Sequence, residues 1–528
     1  MRKRLSSVSV VLLIVLLLSS LSGCNQTTTT SSTAAAPTST PATTAHVTTA
    51  PTQPSKPDTL TIAYQLEFKI LDPYNTGSSA DSAINASVFD SLITMDVKGN
   101  IYPLVAKKWD VSADGLTYTF HLRDDVLFHD GSKLTAEDIA YSFERMKTSS
   151  YRTAQAQLID HVDIVDEYTI NFVLPNTVAT FLMEIATSFT CYSKKATEAL
   201  GAEFSIKPVG CGPYKFVSMD SSQVVLEAFE DYYGGLAPIK KLVYKVIPDA
   251  STALVALENG EVDISDYVPA ASYSIVENNP KLTLLRVPYT RLMQFIMNVT
   301  KAPFDNVLVR RAIAHAIDKE LLIDMTLAGY GSVAYGQIND RYIGYHPDID
   351  QHAAPFDPDK AKELLTEAGY PGGQGLPTIS FQTIEMFRKQ VEIVQSMLRD
   401  VGIHLEIEIV ELSAYLDMQT NHDLYAALMS WTGGPDASIY DRQLTGDGPN
   451  NGAVYHDDEI AQWFKDSLQE LDLAKRKEIF LKIFVKELEE VPYVPLYFPD
   501  TVVCGRSDLD FATIREYLTW KGDLYSFK

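Results

Sequence analysis

The chain has 528 residues, 46% hydrophobic and 21% charged, so it is too long for one ordinary core and two or three lobes are expected. Its 44 basic and 68 acidic residues leave a formal charge of −24. With no basic stripe to neutralise phosphates, nucleic acid is excluded as a partner.

The first element is a leader. Arg2, Lys3 and Arg4 form a positive start, and Val8 to Leu18 is an apolar run broken only by Ser9. A membrane-spanning helix needs about 20 apolar residues, so the run reads as the core of a signal peptide, residues 1–23. Leu21-Ser22-Gly23-Cys24 closes it and resembles a bacterial lipobox, in which the cysteine thiol receives a diacylglyceryl group. Cys24 is the expected lipidation site, and the plainer alternative is a small residue beside a cleavage point. Residues 24–57 are almost wholly Thr, Ser, Ala and Pro, without aromatic residues or periodicity, and read as a disordered tether.

A folded body is expected from Asp58. Leu60 to Ala63 reads as a short strand before the turn Leu71-Asp72-Pro73. In the stretch 110–146, Asp114-Gly115 marks a tight turn, and Leu116, Tyr118, Phe120 and Leu122 alternate with Thr117, Thr119 and His121 as in a strand. Thr135 and Asp138 form a capping pair ahead of Ile139, Phe143 and Met146 at helical spacing. Further helices are expected at Thr252 to Leu257, after Asn306, after Asp357-Pro358 and at Val391 to Asp400, with a strand from Ile403 to Val410. The body cysteines are Cys191, Cys211 and Cys504. Being odd in number, they permit at most one disulfide; a Cys191–Cys211 bridge and three buried thiols both fit.

No enzyme signature stands out: there is no HExxH, GxSxG, Walker loop or CxxC. Gly372 to Gly375 reads as a loop, Asp348 and Asp350 as a solvated turn, and His129 as a structural histidine rather than a metal ligand. A secreted hydrolase would need paired carboxylates, for which Asp436 and Asp441 are the only nominees.

The 110–146 string closely resembles the signature of the extracellular solute-binding proteins, family 5, of peptide and nickel ABC importers. The other anchors occur in the family's order: Leu71-Asp72-Pro73, Tyr102-Pro103-Leu104-Val105-Ala106, Pro208 to Tyr214 (with Cys211 where Thr is usual), Asp231 to Gly235, Gly260 to Ile264, Pro303 to Ala312 and Pro495-Leu496-Tyr497. The resemblance implies an α/β, periplasmic-binding-protein-like fold with two hinged lobes and an extra subdomain. Lobe I would comprise residues 58–96, 205–299 and 493–528, the accessory subdomain 97–204 and lobe II 300–492, with hinge crossings near Met297 and Val494.

It also implies a monomeric, lipid-anchored importer component on the outer face of the bacterial membrane. Such a component has no cofactor and partners an ABC permease and ATPase. The expected ligand-binding residues are Thr76, Gly77, Ser78 and Ser79 after the first strand; Tyr289, Arg291 and Gln294 entering the hinge; Arg388; and Trp431, Gly433, Gly434 and Asp436. Peptide binders of the family often carry Asp where this chain has Gly434, to pair with the peptide ammonium. Its absence favours a ligand of a few residues or more over a dipeptide, with nickel chelates and oligosaccharides as alternatives. A sensory receptor on the same fold is a further alternative.

Overall fold

The strand Thr59–Tyr64 alternates, with Leu60 and Ile62 buried, and it takes the centre of a seven-stranded sheet. It runs parallel to both neighbours, Lys241–Val246 and Ile264–Ser265. This computed structural model describes residues 58–96, 99–287, 290–446 and 450–509. The expected leader and tether, and therefore Cys24, lie outside the described residues.

The stretch 110–146 forms the expected hairpin and helix. Gly115 has φ +71° in the turn between Ala106–Val111 and Thr117–Leu122, and Tyr118, Phe120 and Leu122 are buried. These strands join Thr169–Val173 and His161–Asp166 in an antiparallel four-stranded sheet. The helix Ala136–Lys147 follows, with the Thr135 N–H donating to Asp138 Oδ2 at 3.0 Å. It buries Ile139, Phe143 and Met146. One continuous core unites this sheet with the seven-stranded one, running from Leu60 and Tyr244 to Phe120, Phe143 and Phe172. The subdomain and first lobe therefore move as one body, because separating them would expose apolar surface to water.

The six-stranded sheet has the order Gly331–Val333, Tyr493–Pro499, Arg291–Met297, Ala426–Thr432, Ile379–Thr383 and Leu405–Ile409, and it carries two cores of its own. The helix Pro358–Glu367 starts where expected, with Asp357 accepting from Lys360 N–H at 2.9 Å. The helix expected from Val391 begins three residues earlier, as Arg388–Asp400.

The chain changes sheets twice. Leu282–Val287 pairs with Thr501–Arg506 in the seven-stranded sheet, whereas Arg291–Met297 pairs with Tyr493–Pro499 in the six-stranded one. One ladder thus ends at Val287 and the next begins at Arg291, with Asp500 between the other two strands, whereas Met297 and Val494, where the crossings were expected, lie inside the six-stranded sheet. Those two residues are buried within the six-stranded sheet and its core, so they cannot absorb dihedral change. Arg286 ties the crossings together: its Nε donates to Asp500 Oδ2 at 2.7 Å and its guanidinium covers the Tyr330 ring at 4.5 Å.

Cys191, Cys211 and Cys504 are buried free thiols, so of the two alternatives three unpaired cysteines hold and the Cys191–Cys211 bridge is not formed. Two buried polar arrangements organise the second lobe. Arg476 grips Asp436 with two bonds of 2.9 Å, with both side chains at most 5% exposed. Glu487 is fully buried and accepts from Gln337 Nε2 at 3.1 Å, near Lys319, whose Nζ donates to the Ala334 carbonyl at 2.8 Å.

Asp436→Ala strands Arg476 as an unpaired buried cation, and the expected cost is about 3–5 kcal/mol of unfolding free energy in urea titration. Burial raises the Glu487 carboxyl from 4.5 to about 8 and lowers the Lys319 ammonium from 10.5 to about 8. A raised acid penalises the folded chain increasingly as pH rises from its unfolded value to its folded one, here from 4.5 to about 8. The lowered lysine has the opposite sign and acts between about 8 and 10.5. Glu487→Gln removes the first effect and, by deleting the charge that raises the Lys319 ammonium, extends the second to lower pH. Its stability relative to the parent should therefore rise between pH 5 and pH 8 in thermal melts, and a flat difference would contradict this assignment.

Candidate functional site

The loop after the first strand spends most of its polar groups on itself. Thr76 is buried and donates to Asp81 Oδ2 at 2.8 Å, and Ser78 caps the helix Ser79–Val88. At Gly77 a Cβ would stand 2.7 Å from Tyr151 Cε1, so glycine lets the tyrosine ring lie against the backbone. Ser79 alone of the four lines a cavity of about 660 Å³, which follows the helix face past Ser82, Ala83 and Ala86 toward Tyr232 and Tyr233. Arg152, Thr187 and Ser188 line it from the subdomain.

The second-lobe wall is the end of the strand Ala426–Thr432 and the turn after it. Trp431 is half-buried, faces Leu292 across the ladder and packs on the lobe's core. Its buried indole N–H has no partner among the described residues. A Cβ on Gly433 would meet Ile439 Cγ2 at 2.9 Å and Tyr342 Oη at 3.0 Å, whereas one on Gly434 would meet nothing within 4 Å. Gly434 thus borders open space, where an acidic side chain would fit and none is supplied.

Three expected binding residues are committed elsewhere. Asp436 gives both oxygens to Arg476, and it also accepts from Ser438 N–H at 3.0 Å. It anchors the loop rather than standing free for a ligand. Arg388 lies on an exposed helix turn, held by Glu385 at 2.8–3.0 Å, so the carboxylate it was expected to meet is its own neighbour's. Gln294 is 1% exposed and reaches Gln443 at 3.4 Å inside the second lobe, away from any cleft surface. Arg291 is exposed at the start of its strand, opposite Thr432, and Tyr289 lies outside the described residues.

Glu184 was not among the expected residues. It sits on the helix Phe181–Ser188 of the subdomain and accepts from Ser188 Oγ at 3.5 Å. Burial first, and then the nearby Asp436 charge, raise its carboxyl above the usual range. The subdomain and second lobe meet through a backbone hydrogen bond, Ala179 N–H to the Leu468 carbonyl at 2.7 Å. The segment FLMEIATS carries no local signal for this role, since it reads as an ordinary amphipathic helix. Only the tertiary meeting of two lobes reveals it.

His129 is structural, as expected. Its Nδ1 accepts from Gly210 N–H at 3.3 Å, its Nε2–H donates to the Gly212 carbonyl at 2.9 Å, and burial lowers its pKa to about 4. Among the described residues no three His, Cys, Asp or Glu side chains are grouped to hold a metal ion. The nominated hydrolytic pair is spent internally, Asp436 on Arg476 and Asp441 on the Thr445 hydroxyl. What the arrangement offers a ligand is hydroxyls, aromatic rings and a guanidinium from one wall, and an indole with open backbone from the other.

Residues 100–452 match the family described as bacterial extracellular solute-binding proteins, family 5. The glutathione-binding protein GsiB of Pectobacterium atrosepticum is 32% identical over 355 residues, covering 66% of this chain and 68% of its own. Among solved structures, the fold is similar to the periplasmic binding protein DppA of Helicobacter pylori in complex with peptide STSA. That similarity has a TM-score of 0.72 and 27% identity, covering 89% of this chain and 97% of that one. It is similar also to the oligopeptide-binding protein AppA of Bacillus subtilis in complex with a nonapeptide, with a TM-score of 0.71 and 25% identity, covering 90% and 99%. The chain belongs to family 5 of the bacterial extracellular solute-binding proteins, the substrate-binding components of ABC importers.

Proposed function

We propose that the chain captures a peptide of a few residues or more between its two lobes and passes it to an ABC permease driven by an ATPase. The observations that carry this reading are a cavity of about 660 Å³ in the first body and the open Gly434 turn of the second lobe. The Ser79–Ser188 cavity belongs to the first body and the Trp431–Gly434 turn to the second. The relatives bound to STSA and to a nonapeptide support a peptide ligand. Closure is a shift of population: a ligand touching both walls favours the conformation in which they approach, and the two crossings absorb the change. Binding and release are the whole cycle, with no covalent step.

The open space at Gly434 argues against a tightly held ligand ammonium at that point, because a buried cation needs a counter-charge. Contacts spread along the ligand suit such a wall better than a single ionic anchor. We further propose that the protein acts as a monomer and is held at the outer face of the membrane by a lipid on Cys24, through the tether 24–57.

Trp431→Ala should weaken binding of an equimolar pool of tri- to pentapeptides by roughly tenfold or more, as expected for a lost aromatic contact. Isothermal titration, with circular dichroism to confirm folding, measures this; unchanged affinity removes Trp431 from the cleft wall. Cys24→Ser should move the protein from the membrane fraction to the soluble extracytoplasmic fraction, and retention in the membrane would count against the anchor.

A further inference from the structure

The cavity along the helix Ser79–Val88 contains a group that the fold leaves unused. Asn85 is 6% exposed and lines the cavity, and neither its Oδ1 nor its Nδ2 has a hydrogen-bond partner among the described residues. A buried amide without partners is costly, and asparagine is a poor residue for a helix interior. A residue kept at such a cost gains its partner from something that enters the cavity.

The surroundings narrow what enters. Beyond Asn85 the wall is aromatic: Phe89, Tyr232 and Tyr233. Asp90 also lines it, but its carboxylate already accepts from the Tyr232 and Tyr233 hydroxyls at 3.1 and 2.6 Å. Asp90 keeps its negative charge, because phenol hydroxyls are neutral donors, and two guanidiniums also line the cavity. Arg123, bound to Asp125, stacks over Tyr233 at 4.8 Å, and Arg152 stands where the cavity approaches Glu184. An aromatic wall beside one free amide suits a flat apolar group carrying one hydrogen-bonding edge.

We propose that this cavity is a specificity pocket of the cleft and receives an aromatic side chain of the bound peptide, hydrogen-bonded through Asn85. The inference rests on the peptide reading above. Ser79, Ser82, Ala83 and Ala86 present small side chains along the pocket, so the ring slides against the helix without steric conflict.

The test uses the full chain in detergent and four peptides, Gly-Gly-Xaa-Gly with Xaa as Trp, Tyr, Lys or Gly, titrated calorimetrically. The Trp and Tyr peptides should bind roughly tenfold tighter than the Lys peptide, a ratio that full burial of a ring readily supplies. Ala86→Trp fills the pocket and should abolish that preference while leaving the Gly peptide's affinity in place. Asn85→Ala should weaken the Trp and Tyr peptides about fivefold, the scale of one hydrogen bond. The melting temperature of the ligand-free Asn85→Ala variant should not fall, since the deleted amide has no partner to lose. Equal binding of all four peptides, or a preference that survives Ala86→Trp, overturns the pocket and leaves the peptide reading standing. A parent chain that binds none of the four overturns both together.

Discussion

Everything functional in this protein depends on two short interruptions in otherwise continuous strands. One ladder ends at Val287 and the next strand begins at Arg291, while Asp500 separates Tyr493–Pro499 in one sheet from Thr501–Arg506 in the other. A paired strand residue has its ladder hydrogen bonds and its packing to lose if it rotates, so dihedral change is cheapest where the ladders stop. Arg286 adds a restraint there, since it bonds Asp500, donates to the Gly329 carbonyl at 3.1 Å and stacks on Tyr330. Its contacts reach residues on both sides of the hinge, so the angle between the lobes is set by side-chain chemistry as well as by chain connectivity.

The division of the core decides what moves. The accessory sheet shares one apolar cluster with the first lobe, while the six-stranded sheet has its own. The cavity therefore has rigid walls, because the helix Ser79–Val88 and the segment 186–190 belong to the same body. The opposite wall is rigid for a different reason. The turn after Trp431 is glycine-rich and would be loose alone, but Arg476 and the Asp436 carboxylate fasten it to the helix Leu473–Glu490. A buried ion pair is weak evidence for stability yet good evidence for position, since removing either partner leaves the other charge stranded.

The fold was legible in the sequence because its signals are local and redundant. The turn at Gly115, the alternation of Tyr118, Phe120 and Leu122, and the caps at Thr135, Asn306 and Asp357 each require only neighbours in the chain. The site was less legible because polar side chains choose partners in three dimensions. Asp436 looked like the nearest available carboxylate, and Arg388 like an available cation. The structure gives one to Arg476 and the other to Glu385. Glu184 showed no signal at all, since its importance comes from a meeting with residues some 250 positions away. The hinge crossings were displaced for the same reason: motif boundaries follow sequence, whereas crossings fall where ladder pairing stops.

The remaining asymmetry concerns charge and its partners. In the second lobe the ionic groups near the site are satisfied, and the position where an acidic anchor would fit is Gly434, open and neutral. In the first body a neutral amide, Asn85, is buried without a partner, and a carboxylate, Glu184, is held above its usual pKa by burial and by Asp436. On the proposed reading, a cleft built this way holds its ligand by several modest hydrogen bonds and apolar contacts rather than by one strong charge, which suits a longer ligand better than a small one anchored by a single ammonium.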